Sequence, residues 1–165
     1  MRDPHLAAAV HSWAETVPDE VRGDPLWKME AYRLGLYVCD TAWEDVTALG
    51  RDHRTRSLSD QLYRALGSIS ANIAEGYSRG GGRDRARFLE YALGSAREAR
   101  DWYFKARRVL GDDRARAQIA VLTSVVRLLL VMTRDQRSVH LHEPDTSYDV
   151  LPATGGAPTD NLDPC

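Results

Sequence analysis

Five polar side chains near the middle of the chain, Gln61, Arg64, Ser68, Asn72 and Glu75, recur at spacings of 3, 4, 4 and 3. On a helix turning about 100° per residue they share an arc of about 80°. An arginine, an amide and a carboxylate on one stripe can bind a polar ligand, or they can satisfy one another between paired helices. Buried polar groups must find partners, and such groups can fix helix register. We therefore expect a structural polar network. Ser95 and Glu98 of the next block would join it if the two blocks pair antiparallel, with Arg64 bonded to Glu98 or Glu75.

A second candidate is the segment Gly76-Tyr77-Ser78-Arg79-Gly80-Gly81-Gly82-Arg83-Asp84-Arg85-Ala86-Arg87. Glycines free backbone N–H groups, and the start of the following helix is electropositive. Arg79, Arg83, Arg85 and Arg87 are thus a candidate contact for the phosphates of RNA or DNA. The segment lacks the G-x-x-x-x-G-K-[ST] arrangement that holds a nucleotide and its metal, which argues against an NTPase. Arg97, Arg100, Lys105, Arg107 and Arg108, with Arg114 and Arg116, form a further basic cluster, expected to be a solvated, salt-bridged face. His140-Leu141-His142-Glu143 has too few ligands for a metal site. Cys39 sits on an apolar face, and Cys165 has no evident activator. No Ser-His-Asp, Cys-His or paired-carboxylate constellation stands out, so we expect a protein that is not an enzyme and needs no metal or cofactor.

The 165 residues suffice for one domain with a core. Hydrophobic residues at 43% and charged residues at 28% place the chain among globular proteins. The net charge of -2 hides an asymmetry. Residues 1–50 carry 4 basic against 9 acidic side chains, 51–116 carry 15 against 9, and 117–165 carry 3 against 6. The basic middle leaves room for an anionic partner. Two cysteines make no disulfide framework, and no signal-peptide pattern or run of 18 apolar residues is present. The expectation is a cytoplasmic protein with no membrane partner.

Glycines and prolines divide the chain into helix-length blocks without period-2 alternation. The first, opening at Asp3-Pro4, places Leu6, Val10, Trp13 and Val17 at helical spacing. The second opens at Asp24-Pro25 and aligns Ala31, Gly35, Val38, Ala42, Val46 and Leu49. The third opens at Ser57-Leu58-Ser59-Asp60, aligns Leu58, Leu62, Leu66, Ile69 and Ile73, and closes at Gly76 as a left-handed cap. Its small residues Gly67, Ser70, Ala71 and Ala74 indicate that another backbone comes close. The fourth, from about Asp84 to Leu110, aligns Phe88, Tyr91, Ala92, Ser95, Ala99, Trp102, Ala106 and Val109. The fifth starts at Asp112-Asp113 and is apolar nearly all round from Ala117 to Thr133. An edge helix of a small bundle cannot bury every side within its own chain. Leu128, Leu129, Val131 and Met132 are accordingly expected at an interface between copies. The expected fold is all-α: an antiparallel up-down four-helix bundle (25–137), preceded by a short extra N-terminal helix and linker (1–24) and followed by a disordered acidic tail (138–165).

The run Gln61-Leu62-Tyr63-Arg64-Ala65-Leu66-Gly67-Ser68-Ile69-Ser70-Ala71-Asn72-Ile73-Ala74-Glu75-Gly76 resembles the pattern Q-x-x-R-x-x-x-S-x-x-x-N-I-A-E-G of the 23S rRNA-intervening-sequence proteins. A second piece, Phe88-Leu89 followed by Ala92-Leu93-Gly94-Ser95-Ala96-Arg97-Glu98, resembles that family's F-L then A-x-G-S-x-x-E. The resemblance covers roughly residues 27–135. It implies a cytoplasmic four-helix bundle assembling into a ring, commonly a homopentamer, with no established biochemical role for most members. A related branch, the accessory proteins of diversity-generating retroelements, is basic, binds nucleic acid and partners a reverse transcriptase. This chain departs from that branch in its net charge. Two roles follow as expectations: a homo-oligomeric scaffold that binds a protein partner, or a nucleic-acid-binding accessory protein that uses the Arg-rich loop.

Overall fold

The computed structural model describes residues 4–139, so the expectations for the acidic tail, for His140, His142 and Glu143, and for Cys165 fall outside the described residues. Among the described residues the chain is helical and contains no strand. Helix α1 (Pro4–Ala14) and the single turn α2 (Asp19–Arg22) precede a 3-10 turn at Pro25–Lys28. The bundle then comprises α3 (Glu30–Thr41), α4 (Trp43–Arg51), α5 (Arg56–Tyr77), α6 (Gly82–Leu110) and α7 (Asp112–Val139). The pair α3–α4 forms one arm of the four, broken at Ala42, and α5, α6 and α7 are the other three.

Local chemistry sets these boundaries, in places differently from the sequence expectation. Asp24 accepts a hydrogen bond from the Leu26 backbone N–H, so Asp24-Pro25 caps the 3-10 turn and the α-helix starts only at Glu30. Helix α5 starts at Arg56. Ser59 serves as a cross-brace instead of a cap: its hydroxyl donates to the Val46 carbonyl at 2.7 Å and ties α5 to α4. Gly76 is helical and is no left-handed cap. A Cβ there would lie 3.0 Å from Phe88 Cβ and 3.4 Å from the Arg85 carbonyl, so the glycine lets α6 approach α5. The positive φ belongs to Gly111, at 85°, which ends α6 one residue before the Asp112-Asp113 start of α7.

The core is continuous across all four arms. The predicted faces of α3–α4 and α5 are buried, from Ala31 to Leu49 and from Leu62 to Ile73. Gly35 of α3 crosses α5 closely, where a Cβ would meet Ile69 Cγ2 at 3.0 Å and Ser70 N at 3.4 Å. This is the close backbone approach that the small residues of α5 implied. Gly67 instead has open space above it, and Ala71 is exposed, so that side of α5 is uncovered.

Helix α6 is rotated from expectation. It buries Leu89, Ala92, Leu93, Ala96, Ala99, Tyr103 and Ala106, while Tyr91 stays 52% exposed. Alanines point inward because they let two helix backbones come close on either side, and Tyr91 and Trp102 are displaced outward while Tyr103 is fully buried. Helix α7 buries Leu122, Val125 and Leu129. By length and composition its segment Asp112–Arg137 could cross a membrane, but these three side chains make it the core helix of the bundle.

Candidate functional site

Two polar centres emerge, one inside the bundle and one on its surface. The inner one was not foreseen. Asp45 of α4 is 5% exposed. Its Oδ2 accepts from the Tyr103 hydroxyl at 2.9 Å and from Gln118 Nε2 at 3.4 Å. Its Oδ1 accepts from Arg114 Nε at 2.8 Å. Arg114 also donates to the Thr41 carbonyl at 2.6 Å, and Gln118 to Thr41 Oγ1 at 3.3 Å. Three arms of the bundle are thereby locked in one register. Burial, reinforced by the Asp45 carboxylate, pushes the Tyr103 hydroxyl far above the usual tyrosine range. The hydrogen bond to Asp45 raises Arg114 further, so it stays charged. Burial likewise raises the Cys39 thiol, in keeping with a packed and unreactive cysteine.

The outer centre is the predicted stripe, and it is not an internal network. Arg64 and Glu75 are exposed, and Gln61, Ser68 and Asn72 are half-buried. Arg64 pairs with neither Glu98 nor Glu75, and has no ion-pair or hydrogen-bond partner among the described residues. Glu75 instead pairs with Arg79 one turn on. Asn72 Nδ2 donates to the Ser68 carbonyl at 2.8 Å, Ser95 Oγ to the Tyr91 carbonyl at 3.0 Å, and Trp102 Nε1 to Glu98 at 3.1 Å. These bonds all run within single helices. The reason is geometric: α5 and α6 touch along Gly76 and the alanine side of α6, which leaves the stripe above the contact line. Continuing the register set at Gly76 and Phe88, Ser68 comes level with Ser95. The stripe and Tyr91, Ser95, Glu98 and Trp102 therefore border one outer groove. The Gln61–Arg64 end of the stripe also borders a hollow of about 520 Å3 that is lined from α4 and the start of α5. Beside it stands the exposed Trp43–Tyr63 pair, edge to face at 6.0 Å.

The Arg-rich loop is partly committed to its own structure. Arg79 and Arg87 sit over the Phe88 ring at 5.0 and 5.6 Å. Arg85 Nε donates to the Arg79 carbonyl at 2.7 Å. Arg79, Arg83 and Arg87 are exposed and Arg85 is half-buried. A Cβ on Gly82 would lie 3.3 Å from the Gln136 carbonyl, so the start of α6 meets the end of α7. That contact brings Arg134 and Arg137 to the same end of the bundle. Of the four expected interface residues, Leu129 is 0% exposed and belongs to the chain's own core. It lies on the buried side of α7, which the all-round apolar pattern could not single out. Leu128 and Met132 are half-buried, while Leu130 and Val131 are 46% and 49% exposed. Among the described residues no group of three or more His, Cys, Asp or Glu could hold a metal.

A four-arm helical bundle with a polar groove on its outer face and an arginine-rich end is the class these features define. The family model of the 23S rRNA-intervening sequence protein matches residues 28–126, and the chain belongs to that family. A crystal structure from Bacteroides thetaiotaomicron VPI-5482, of a protein with unknown function from the S23 ribosomal protein family, has the same fold. It superposes with a TM-score of 0.59 at 21% identity, covering 63% of this chain and 98% of that one. No curated protein matches the chain.

Proposed function

We propose that the protein is a non-enzymatic, homo-oligomeric scaffold whose copies meet along the outer α5–α6 groove. The observation that carries this reading is where the family pattern lies. Arg64, Ser68, Asn72 and Glu75 make no cross-helix bond, and Arg64 and Glu75 on α5, like Tyr91 on the neighbouring α6, stay exposed. Residues of an exposed groove with unspent donors and aromatic rims suit a second protein surface. A ring of several copies would also repeat the basic end of the bundle. A cytoplasmic setting accords with this reading and with the unpaired Cys39. The test is the mass of the assembly in solution, with Ser68→Arg as the disrupting variant.

One observation favours a second reading, an accessory role in binding RNA or DNA. The ends of α6 and α7 gather Arg79, Arg83, Arg87, Arg134 and Arg137 around one corner, and the Phe88 stacking holds two of them in place. Such a corner suits phosphate contact. Binding to labelled RNA and DNA should then weaken linearly in log Kd against log salt. Changing Arg83 and Arg87 to Gln should lower that slope by about 1 to 2 per chain. A salt-independent affinity, or an unchanged slope, would rule the corner out.

A further inference from the structure

Between α1 and the face made by α3 and α7 lies a cavity of about 1090 Å3. It is a product of this chain's own extension, since α1 precedes residue 28, where the family match begins. Helix α1 is fastened firmly near its C-terminal end. Trp13 Nε1 donates to Asp40 Oδ2 at 2.7 Å, and the indole stacks on Trp27 at 6.1 Å and meets Tyr37 edge-on at 5.4 Å. Along the rest of α1, Leu6 and Val10 touch the core but no residue is buried. Ala7 and Ala14 on α1, and Ala117 and Ala120 on α7, border the gap and are too short to close it. Packed helix interfaces hold few voids larger than a water, so this is a slot and not an ordinary contact.

The walls of the slot include Leu34, Val121 and Leu128. Four arginines also line it: Arg22 is paired with Asp19, while the side chains of Arg33 and Arg127 have no ion-pair or hydrogen-bond partner among the described residues. Arg114, another lining arginine, is already held by Asp45 and Thr41. Two carboxylates line the slot: Glu15 pairs with His11 at 3.7 Å, and Glu30 stands one turn before Arg33 on α3.

We propose that the slot binds a single-chain amphipathic carboxylate, its acyl chain between α1 and α7 and its carboxylate on Arg33 and Arg127. The volume lies just above the roughly 300–1,000 Å3 range of small-molecule sites. Helix α1 already fills the place a docking helix would take, which leaves space for a chain-shaped ligand. Guanidinium groups match a carboxylate in charge and geometry, and they would repel a cationic head group.

The experiment is isothermal titration of the full chain with sodium myristate below its micelle concentration. Myristyltrimethylammonium, the same chain with a cationic head, serves as the control. The expected result is saturable binding of one myristate per chain and no saturable binding of the cation. Joint replacement Arg33→Gln and Arg127→Gln should weaken myristate binding at least tenfold. Ala120→Trp, which fills the slot from an exposed position, should abolish it, and both proteins should keep the wild-type circular dichroism. Absence of saturable binding, equal binding of the cation, or unchanged affinity in both variants overturns the proposal. A slot filled by a second copy would show no myristate heat and a smaller assembly in Ala120→Trp, which overturns it too.

Discussion

Replacing Asp45 by Asn tests whether the buried centre, and not the surface stripe, fixes the register of the bundle. The carboxylate gives one oxygen to Arg114 at 2.8 Å and the other to Tyr103 at 2.9 Å and Gln118 at 3.4 Å. An amide keeps one accepting oxygen. With that oxygen toward Arg114, the new NH2 faces two donors, and the Tyr103 proton loses its partner. A buried hydrogen bond to a charged group is worth about 1.5–3 kcal/mol. Weakening of the Arg114 contact adds under about 1 kcal/mol, because that side chain is 41% exposed and water screens it. Relief of the buried charge offsets part of the loss. The net expectation is a destabilisation of about 2 kcal/mol, read as a lower urea midpoint at constant slope by circular dichroism. The loss should be the same at every protein concentration, since Asp45 acts within one chain. Arg64→Ala should alter only the concentration-dependent part of the stability. An Asp45→Asn effect below about 0.5 kcal/mol, the range of ordinary surface changes, or a larger intrinsic loss in Arg64→Ala, would refute the reasoning.

Two further outcomes follow. The tyrosine at 103 has a folded pKa above its unfolded value of about 10. Its contribution is therefore complete below pH 10 and is lost as the pH rises beyond it. Between pH 10 and 11.5 the wild type should lose about 1.1 kcal/mol per pH unit more than Tyr103→Phe, approaching about 1.4 at the upper end. Parallel pH profiles in urea titrations would contradict this. For the glycines, Gly67→Ala meets nothing within 4 Å and should stabilise the chain by about 0.5–1 kcal/mol. Gly76→Ala must displace Phe88 against the same helix-propensity gain and should be the less stable of the two by thermal melting.

Much of the fold was legible because its core obeys helical periodicity. Ala31, Gly35, Val38, Ala42, Val46 and Leu49 are buried, and so are Leu62, Leu66, Ile69 and Ile73, whereas Tyr32, Cys39 and Leu58 at the margins of these faces are half-buried and Trp43 is 62% exposed. The break at Ala42 and the rotation of α6 were not legible. Hydrophobic pattern weights Tyr91 and Trp102 above Ala96, whereas packing prefers the alanine where backbones approach closely. The role of Gly76 was hidden for a similar reason: a glycine near a helix end suits a cap and a helix crossing equally well. The Asp45 centre left no local trace, because Tyr103 and Arg114 lie 58 and 69 residues away in sequence. Only the tertiary fold brings them together. The polar stripe was correctly placed on one helical face. Whether that face turned inward or outward depended on the depth of the α5–α6 contact, which periodicity does not specify.

The central claim, that copies of this chain assemble along the outer α5–α6 groove, is tested most directly by light-scattering mass of the full chain and of Ser68→Arg. The account predicts a wild-type mass that is a multiple of 18.5 kDa. It predicts a variant that runs as one chain with its helicity intact. A wild type at the mass of a single chain, or a Ser68→Arg protein that assembles as the wild type does, would contradict it.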